Sequence, residues 1–320
     1  MSDPQLLAPF PWFGGMRAVA ADVWARLGAP KQYIEPFCGS AAILLASPSI
    51  ASLEVVGDMN GFIANFWRAV KHQPGEVARW ADYPVSHIDL GARHVWLHHR
   101  RESIGEGLLD AEWPGDAQAA GWWLWGQCSW IGSGWAEWGR ASAPGEHGQI
   151  PHISDAGRGV QALGKIPHVG NAGRGLITSC GRTAWEWLHR LADRLERVRV
   201  IHGDWSRCLN HHYGQNDNGS TGVFLDPPYV AFEGLYSAGD KAVAVAVAEW
   251  AAEHADLRIA LCGHVGDYDL PGWDAVPWKR VRLTYGSDTT RAAECIWYSP
   301  ACLSVRPTGQ LGMFDATEAA

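Results

Sequence analysis

The chain has 320 residues, 47% of them hydrophobic, and a formal charge of −8, which is long enough for a catalytic domain near the usual upper size plus a smaller insert. The acidic balance excludes a protein that holds nucleic acid by net charge alone, so any basic surface must be local. No apolar stretch reaches bilayer length, Met1-Ser2-Asp3-Pro4 does not open a signal peptide, and seven cysteines without a C-x-x-C pair read as reduced thiols, which together predict a soluble, cytoplasmic protein.

The first informative stretch is Tyr33-Ile34-Glu35-Pro36-Phe37-Cys38-Gly39-Ser40-Ala41-Ala42, a strand over 33–37 running into a turn of small residues, with Ile43-Leu44-Leu45-Ala46 opening a helix. Gly39 permits a positive φ and close approach of a ligand to the backbone, and Ser40 and Ala41 let the helix start pack on the strand. A second strand over 53–57 leads to Asp58, nineteen positions after Gly39, where a nucleotide-binding α/β unit places a carboxylate on ribose hydroxyls. A dinucleotide fingerprint needs three glycines as G-x-G-x-x-G, and only Gly39 is in place. S-adenosylmethionine, which has a ribose but no phosphate, fits better than a dinucleotide.

Farther along, Gly121 to Trp138 concentrates tryptophan, of which the chain holds nineteen. Trp123 and Trp125 point to nearly opposite sides of a helix, so part of the run is expected inside and part on a surface where rings stack on an extruded base; the alternative is that the run forms a core of its own. From Arg140 to Arg182 the basic residues Arg140, Arg158, Lys165, Arg174 and Arg182 outnumber the acids Glu146 and Asp155. Within that stretch Ile150–Val160 recurs as Ile166–Leu176, each copy carrying one arginine, Arg158 or Arg174, between two glycines. There a bare backbone comes close to nucleic acid and the guanidinium reaches a guanine edge or a phosphate; the alternative is a pair of glycine turns with solvated arginines.

Thr183 to Arg197 has the period of an amphipathic helix with Trp187, Leu188, Leu191 and Leu195 on its apolar face. A strand over 198–202 then leads through Gly203 to Asp204 and Trp205, and a strand over 223–226 is cut short by Asp226-Pro227-Pro228-Tyr229. Pro227 fixes its own φ and biases Asp226 toward an extended conformation, so the carboxylate and the neighbouring carbonyls are held outward. Such acceptors take the two N–H bonds of a flat exocyclic amine while Tyr229 covers the ring, the arrangement required for methylating a nucleobase amine; an ordinary strand-to-turn exit is the alternative. A helix over 242–254 and strands over 257–262 and 294–298 follow.

Taken in order, Phe10-Pro11-Trp12-Phe13-Gly14-Gly15-Met16-Arg17, Glu35-Pro36-Phe37-Cys38-Gly39-Ser40, Asp58-Met59-Asn60 and Asp226-Pro227-Pro228-Tyr229 resemble the motifs of the Dam-like, D12-class adenine-specific DNA methyltransferases. The likeness covers roughly residues 8–70 and 198–300. It implies an α/β fold, the S-adenosylmethionine-dependent methyltransferase-like mixed sheet, with a catalytic domain over 1–85 and 195–320 and a target-recognition domain inserted over 86–194. It implies that Trp12, Phe13, Gly14, Gly15, Arg17, Glu35, Phe37, Gly39, Ser40 and Asp58 surround S-adenosylmethionine. By position, Asp204 would accept from the cofactor's adenine amine, Trp205 would cover that ring, and Asp226, Pro227, Pro228 and Tyr229 would hold the flipped adenine. Two departures matter: the family usually has an alanine and a lysine where this chain has Phe13 and Met16, which leaves the lysine's contact to Arg17, and a glycine where Ala41 stands.

The function so implied is transfer of a methyl group to adenine N6 in double-stranded DNA, with the five basic residues of the insert as DNA contacts. The fourteen histidines show no H-E-x-x-H or H-x-E…C-x-x-C spacing, so no metal is expected. Cytosine-N4 methylation, which uses a similar amine and a similar P-P motif, and a DNA-binding relative without catalysis are the alternatives. In the tail from about 305, Gln310-Leu311-Gly312-Met313-Phe314 resembles the Q-L-x-L-F peptide by which bacterial DNA-processing proteins dock on the sliding clamp. Leu311, Met313 and Phe314 would fill a hydrophobic pocket with Gln310 bonded at its edge; folding back onto the enzyme's own core is the alternative.

Overall fold

A computed structural model describes residues 6–10, 16–83, 86–129, 135–136, 168–169, 176–177, 183–209, 220–228, 238–285 and 288–304. In chain order the elements are α1 (Ala20–Leu27), β1 (Gln32–Glu35), α2 (Ala42–Leu45), β2 (Leu53–Asp58), α3 (Gly61–His72), α4 (Pro74–Ala81), α5 (His87–Gly107), α6 (Ala117–Ser129), β3 (His168–Val169), β4 (Leu176–Ile177), α7 (Ala184–Leu195), β5 (Val198–His202), β6 (Thr221–Leu225), α8 (Ala238–Glu253), β7 (Arg258–His264), β8 (Asp274–Tyr285) and β9 (Asp288–Tyr298). The fold is α/β with a seven-stranded mixed sheet. The chain divides into two compact units, one of Met1–Ala18 with Gln32–Gln215 and one of Val19–Lys31 with Asn216–Ala320. Each is taken by itself.

In the first unit β2 lies between β1 and β5, and all three run parallel. β2 is apolar enough to be covered on both faces, as parallel strands are, with Val55 and Val56 fully buried. The helix after it starts where the Asn60 side chain accepts from the Phe62 amide at 3.0 Å, an N-cap that satisfies one of the orphan donors of the first turn. α3 is then tied to β5 by buried Arg68, which donates to the Val200 carbonyl at 2.9 Å, and by Lys71, which donates to the Val198 carbonyl at 2.8 Å. The expected helix over 183–197 is present as α7, started by a reciprocal capping box between Thr183 and Glu186. Its expected apolar face, Trp187, Leu188, Leu191 and Leu195, is buried.

The tryptophan run is where the sequence reading needs correction. Its part up to Ser129 lies in α6, and Trp123 and Trp125 are both buried, at 1% and 0% exposure, although they leave opposite sides of the helix. The reason is that α6 packs against α3, α4 and α5, so it has no open side for a stacking surface along Trp123–Trp125. Trp123 meets Phe10 with ring centroids 4.9 Å apart, and half-buried Trp122 meets Trp96 at 4.8 Å. Gly126 admits a further ring, since a Cβ there would stand 1.9 Å from Trp135. Residues 61–129 hold four helices, α3 to α6, of which only the one that carries Trp123 and Trp125 is read as a helix from the sequence. α5 and α6, which fall inside the expected insert, belong to the same compact unit as β1 and β2.

In the second unit β6 and β7 pair in parallel, β7 pairs with β9 antiparallel, and β9 pairs with β8 in a long antiparallel ladder. Every residue of β6 is buried. α1 is held by Arg26, whose guanidinium pairs with Asp274 and lies 4.4 Å from the centre of the Tyr298 ring, and by Arg258, which donates to the Leu27 carbonyl at 2.9 Å. β9 runs from 288, well before the expected 294, and β8 is not expected at all. Pro277, Lys279, Arg280 and Arg282 obscure it, and the structure places Pro277 at a register shift in the edge strand of the sheet, where a missing N–H is tolerated.

Candidate functional site

The parallel strands of the first unit bring three chain segments to one edge, the carboxyl ends where open α/β sheets bind ligands. β1 continues past Glu35 into the turn, tied to β2 by the Cys38 amide donating to the Gly57 carbonyl at 2.8 Å. Gly39 and Ala41 both have positive φ, +43° and +50°. A left-handed conformation costs an alanine about 1 kcal/mol that a glycine does not lose, which gives a backbone reason for the glycine that the resembled family has at this position. Trp67, fully buried on α3, donates to the Gly39 carbonyl at 2.9 Å and fixes the turn from below.

Asp58 ends β2 against that turn. Its Oδ2 accepts from the Gly39 amide at 3.0 Å and its Oδ1 from the Asn60 amide at 2.8 Å. Burial pushes the carboxyl up to about 6, opposed by those two N–H bonds. Each oxygen keeps a further lone pair, so the half-buried group is able to accept from a diol. The Asp58 carbonyl accepts from Gly203 at 3.1 Å, which joins the end of β5 to the same edge. There exposed Asp204 caps the short 3-10 helix Trp205–Cys208 through Ser206, whose amide donates to Oδ1 at 3.0 Å, and Trp205 is half-buried.

Two further expected residues meet as the spacing alone could not show. Arg17 and Ser40 line one cavity of about 150 Å³ with Leu6, Leu7, Phe10 and Leu45. Met16 is buried and Arg17 exposed, so of the two only Arg17 offers a cation at that place. Glu35 is different. It is 2% exposed, and its Oε2 accepts from the Tyr33 hydroxyl at 2.9 Å and the Leu44 amide at 3.1 Å, so this oxygen braces β1 against α2 rather than facing a ligand. Met59 has no role in the sequence reading beyond its place in Asp58-Met59-Asn60, yet it stands 64% exposed beside Asp58, an apolar surface available to a flat ring. Phe37 is half-buried.

In the second unit Asp226 follows the last residue of β6, half-buried, with Pro227 buried and Pro228 half-buried. The strand register sets Leu225 beside Leu261 of β7. Trp12, Phe13, Gly14, Gly15, Tyr229, the basic residues Arg140, Arg158, Lys165, Arg174 and Arg182, and the tail residues Gln310, Leu311, Met313 and Phe314 lie outside the described residues.

The chain matches no protein-family model, and no curated protein matches it in sequence. Chemistry must therefore be argued from the residues. Among the described residues no group of three His, Cys, Asp or Glu side chains is placed to hold a metal ion, and no helix is long and apolar enough to cross a membrane.

Proposed function

We propose that the protein is a DNA methyltransferase that moves a methyl group from S-adenosylmethionine to the N6 amine of a flipped adenine, within an inserted-domain architecture in which 86–194 carries target recognition. The observation that carries the reading is Asp226, a carboxylate ending a wholly buried strand and followed by two prolines. An acceptor so held loses little freedom when it takes an amine N–H, so its electrostatic effect on the nitrogen is preorganised. Asp226 and the adjacent carbonyls would accept the two N–H bonds and raise electron density on the nitrogen as it attacks in line; the methyl–sulfur bond would break as the nitrogen–carbon bond forms, S-adenosylhomocysteine would leave, and one amine proton would pass to solvent. No covalent enzyme intermediate is needed.

The first unit fits the cofactor. Asp58 would accept from the ribose hydroxyls, Met59 would cover the adenine ring with Asp204 near its amine, and Arg17 with Ser40 would receive the carboxylate end in their cavity, which has room for one end of the molecule. When bound, the cofactor supplies an electrophilic methyl group. DNA contact by the insert arginines and clamp docking by the tail enter from sequence alone, and titrations with DNA and with the clamp test them. Incubating DNA with labelled cofactor and digesting it to nucleosides tests the whole reading: N6-methyladenine supports it, while N4-methylcytosine alone, or no label, overturns it.

Asp58 makes the binding step pH-dependent. If the carboxylate form takes the diol, protonation below about 6 removes an acceptor, and affinity for S-adenosylmethionine is expected to fall about tenfold between pH 7 and pH 5. Stability carries the opposite sign. A folded-state pKa raised above the unfolded value means the folded chain binds the extra proton, so this group's contribution to stability grows as pH falls through 6. Calorimetric titration and thermal melts across that range read both trends, and Asp58→Asn should flatten the affinity trend. An affinity that does not change with pH would remove Asp58 from the ribose site.

A further inference from the structure

The loop that follows the strand beside Asp226 carries an aromatic residue that the reading above does not use. With Leu225 paired to Leu261, the next positions along the two parallel strands are Asp226 and Cys262. Tyr268 returns over that spot: its hydroxyl donates a long hydrogen bond to the Cys262 carbonyl at 3.4 Å, and its ring rests on Gly263, where a Cβ would stand 2.7 Å from Cε2. Trp297 of β9 meets the ring at 5.0 Å and 73°. The turn that carries Tyr268 is closed by the His264 amide donating to Asp267 Oδ2 at 2.8 Å. Burial, then the charges of Asp267, Cys262 and Asp226, push the phenol's pKa up, so it remains a neutral donor. A ring held on two sides in a residue that is half-buried as a whole is a rigid contact surface that loses little entropy when it meets a ligand.

We propose that Tyr268 is a specificity-determining residue of the target-base site, its ring and hydroxyl forming the wall against which the amine-bearing base is held beside Asp226. This rests on the methyltransferase reading and names a residue that reading does not need. Gly263 has a matching role: only a residue without a side chain lets the ring lie on the strand next to Asp226.

Steady-state methylation of unmethylated plasmid DNA with labelled cofactor tests this in full-length wild type, Tyr268→Phe and Tyr268→Ala. The phenylalanine variant keeps the packing on Gly263 and Trp297 and loses only the long bond to Cys262, so its melting temperature should fall little, while kcat/KM for DNA falls about fivefold as the hydroxyl is lost to the base as well. The alanine variant should lose about 5- to 150-fold, the range of a base–aromatic contact, with a larger share of label in nucleosides other than N6-methyladenine. Cofactor Kd should be unchanged in both. Wild-type turnover with both variants at wild-type kcat/KM and selectivity would overturn the wall and leave the methyltransferase reading intact. So would losses that follow the melting temperature and cofactor Kd together, which would make Tyr268 structural. A wild-type protein that transfers no methyl to DNA would sink both.

Discussion

Asp226→Ala is expected to lower methyl transfer to DNA by about a hundredfold or more, with affinity for S-adenosylmethionine close to wild type. The position permits a clean reading. β6 is buried along its whole length and ends before Asp226, and Pro227 fixes its own φ whatever precedes it, so truncation removes an acceptor and leaves the strand's own packing in place. The cofactor contacts proposed for the first unit, at Asp58, Arg17 and Ser40, are untouched. Asp226→Asn keeps the shape and one acceptor oxygen but adds donors toward an amine that is itself a donor, so it should fall between. Single-turnover rates at saturating cofactor, with cofactor Kd from calorimetry, separate chemistry from binding. Turnover near wild type in Asp226→Ala would remove the carboxylate from the reaction.

Much of this site is legible in the sequence because strand ends are. The runs before Asp58 and Asp226 are short, largely apolar and bounded by glycine, proline or aspartate, which is how a buried parallel strand reads, whereas the run before Gly203, with exposed Arg199, is an edge strand that alternates. β5 lies over the expected 198–202. The spacing from Gly39 to Asp58 also has a direct physical counterpart, since the Gly39 amide donates to the Asp58 carboxylate. What the sequence hides is the direction of side chains. Glu35 sits in the same motif as Gly39 and reads as a ligand contact, yet Tyr33, two residues back, turns one of its oxygens inward. Met59 and Tyr268 gain importance only from exposure and from a glycine across the strand, and neither is a spacing. The enclosure of α6 is hidden for the same reason, because periodicity reports the sides of a helix but not how many neighbours cover them.

The buried ion pair between α7 and β2 carries the largest expected effect on stability. Arg194 meets Glu54 with both arms of the guanidinium, Nη1 to Oε2 at 2.6 Å and Nη2 to Oε1 at 2.8 Å, and Nη2 also donates to the Leu44 carbonyl at 3.1 Å. Glu54 is 1% exposed and lies on the strand that ends at Asp58. A carboxylate this deep depends on its partner, because the cost of leaving a buried charge unpaired exceeds the net value of the pair. Arg194→Met keeps the length of the side chain and removes the charge, and is expected to lower stability by about 3–5 kcal/mol. Replacing both ends, as Glu54→Gln with Arg194→Met, removes the charge as well as its partner and should recover much of that loss, leaving a large coupling between the two positions. Urea unfolding of the wild type, the two single variants and the double variant measures this. Additive effects of the two substitutions would show that the pair contributes little and that α7 is held to β2 by its apolar face alone.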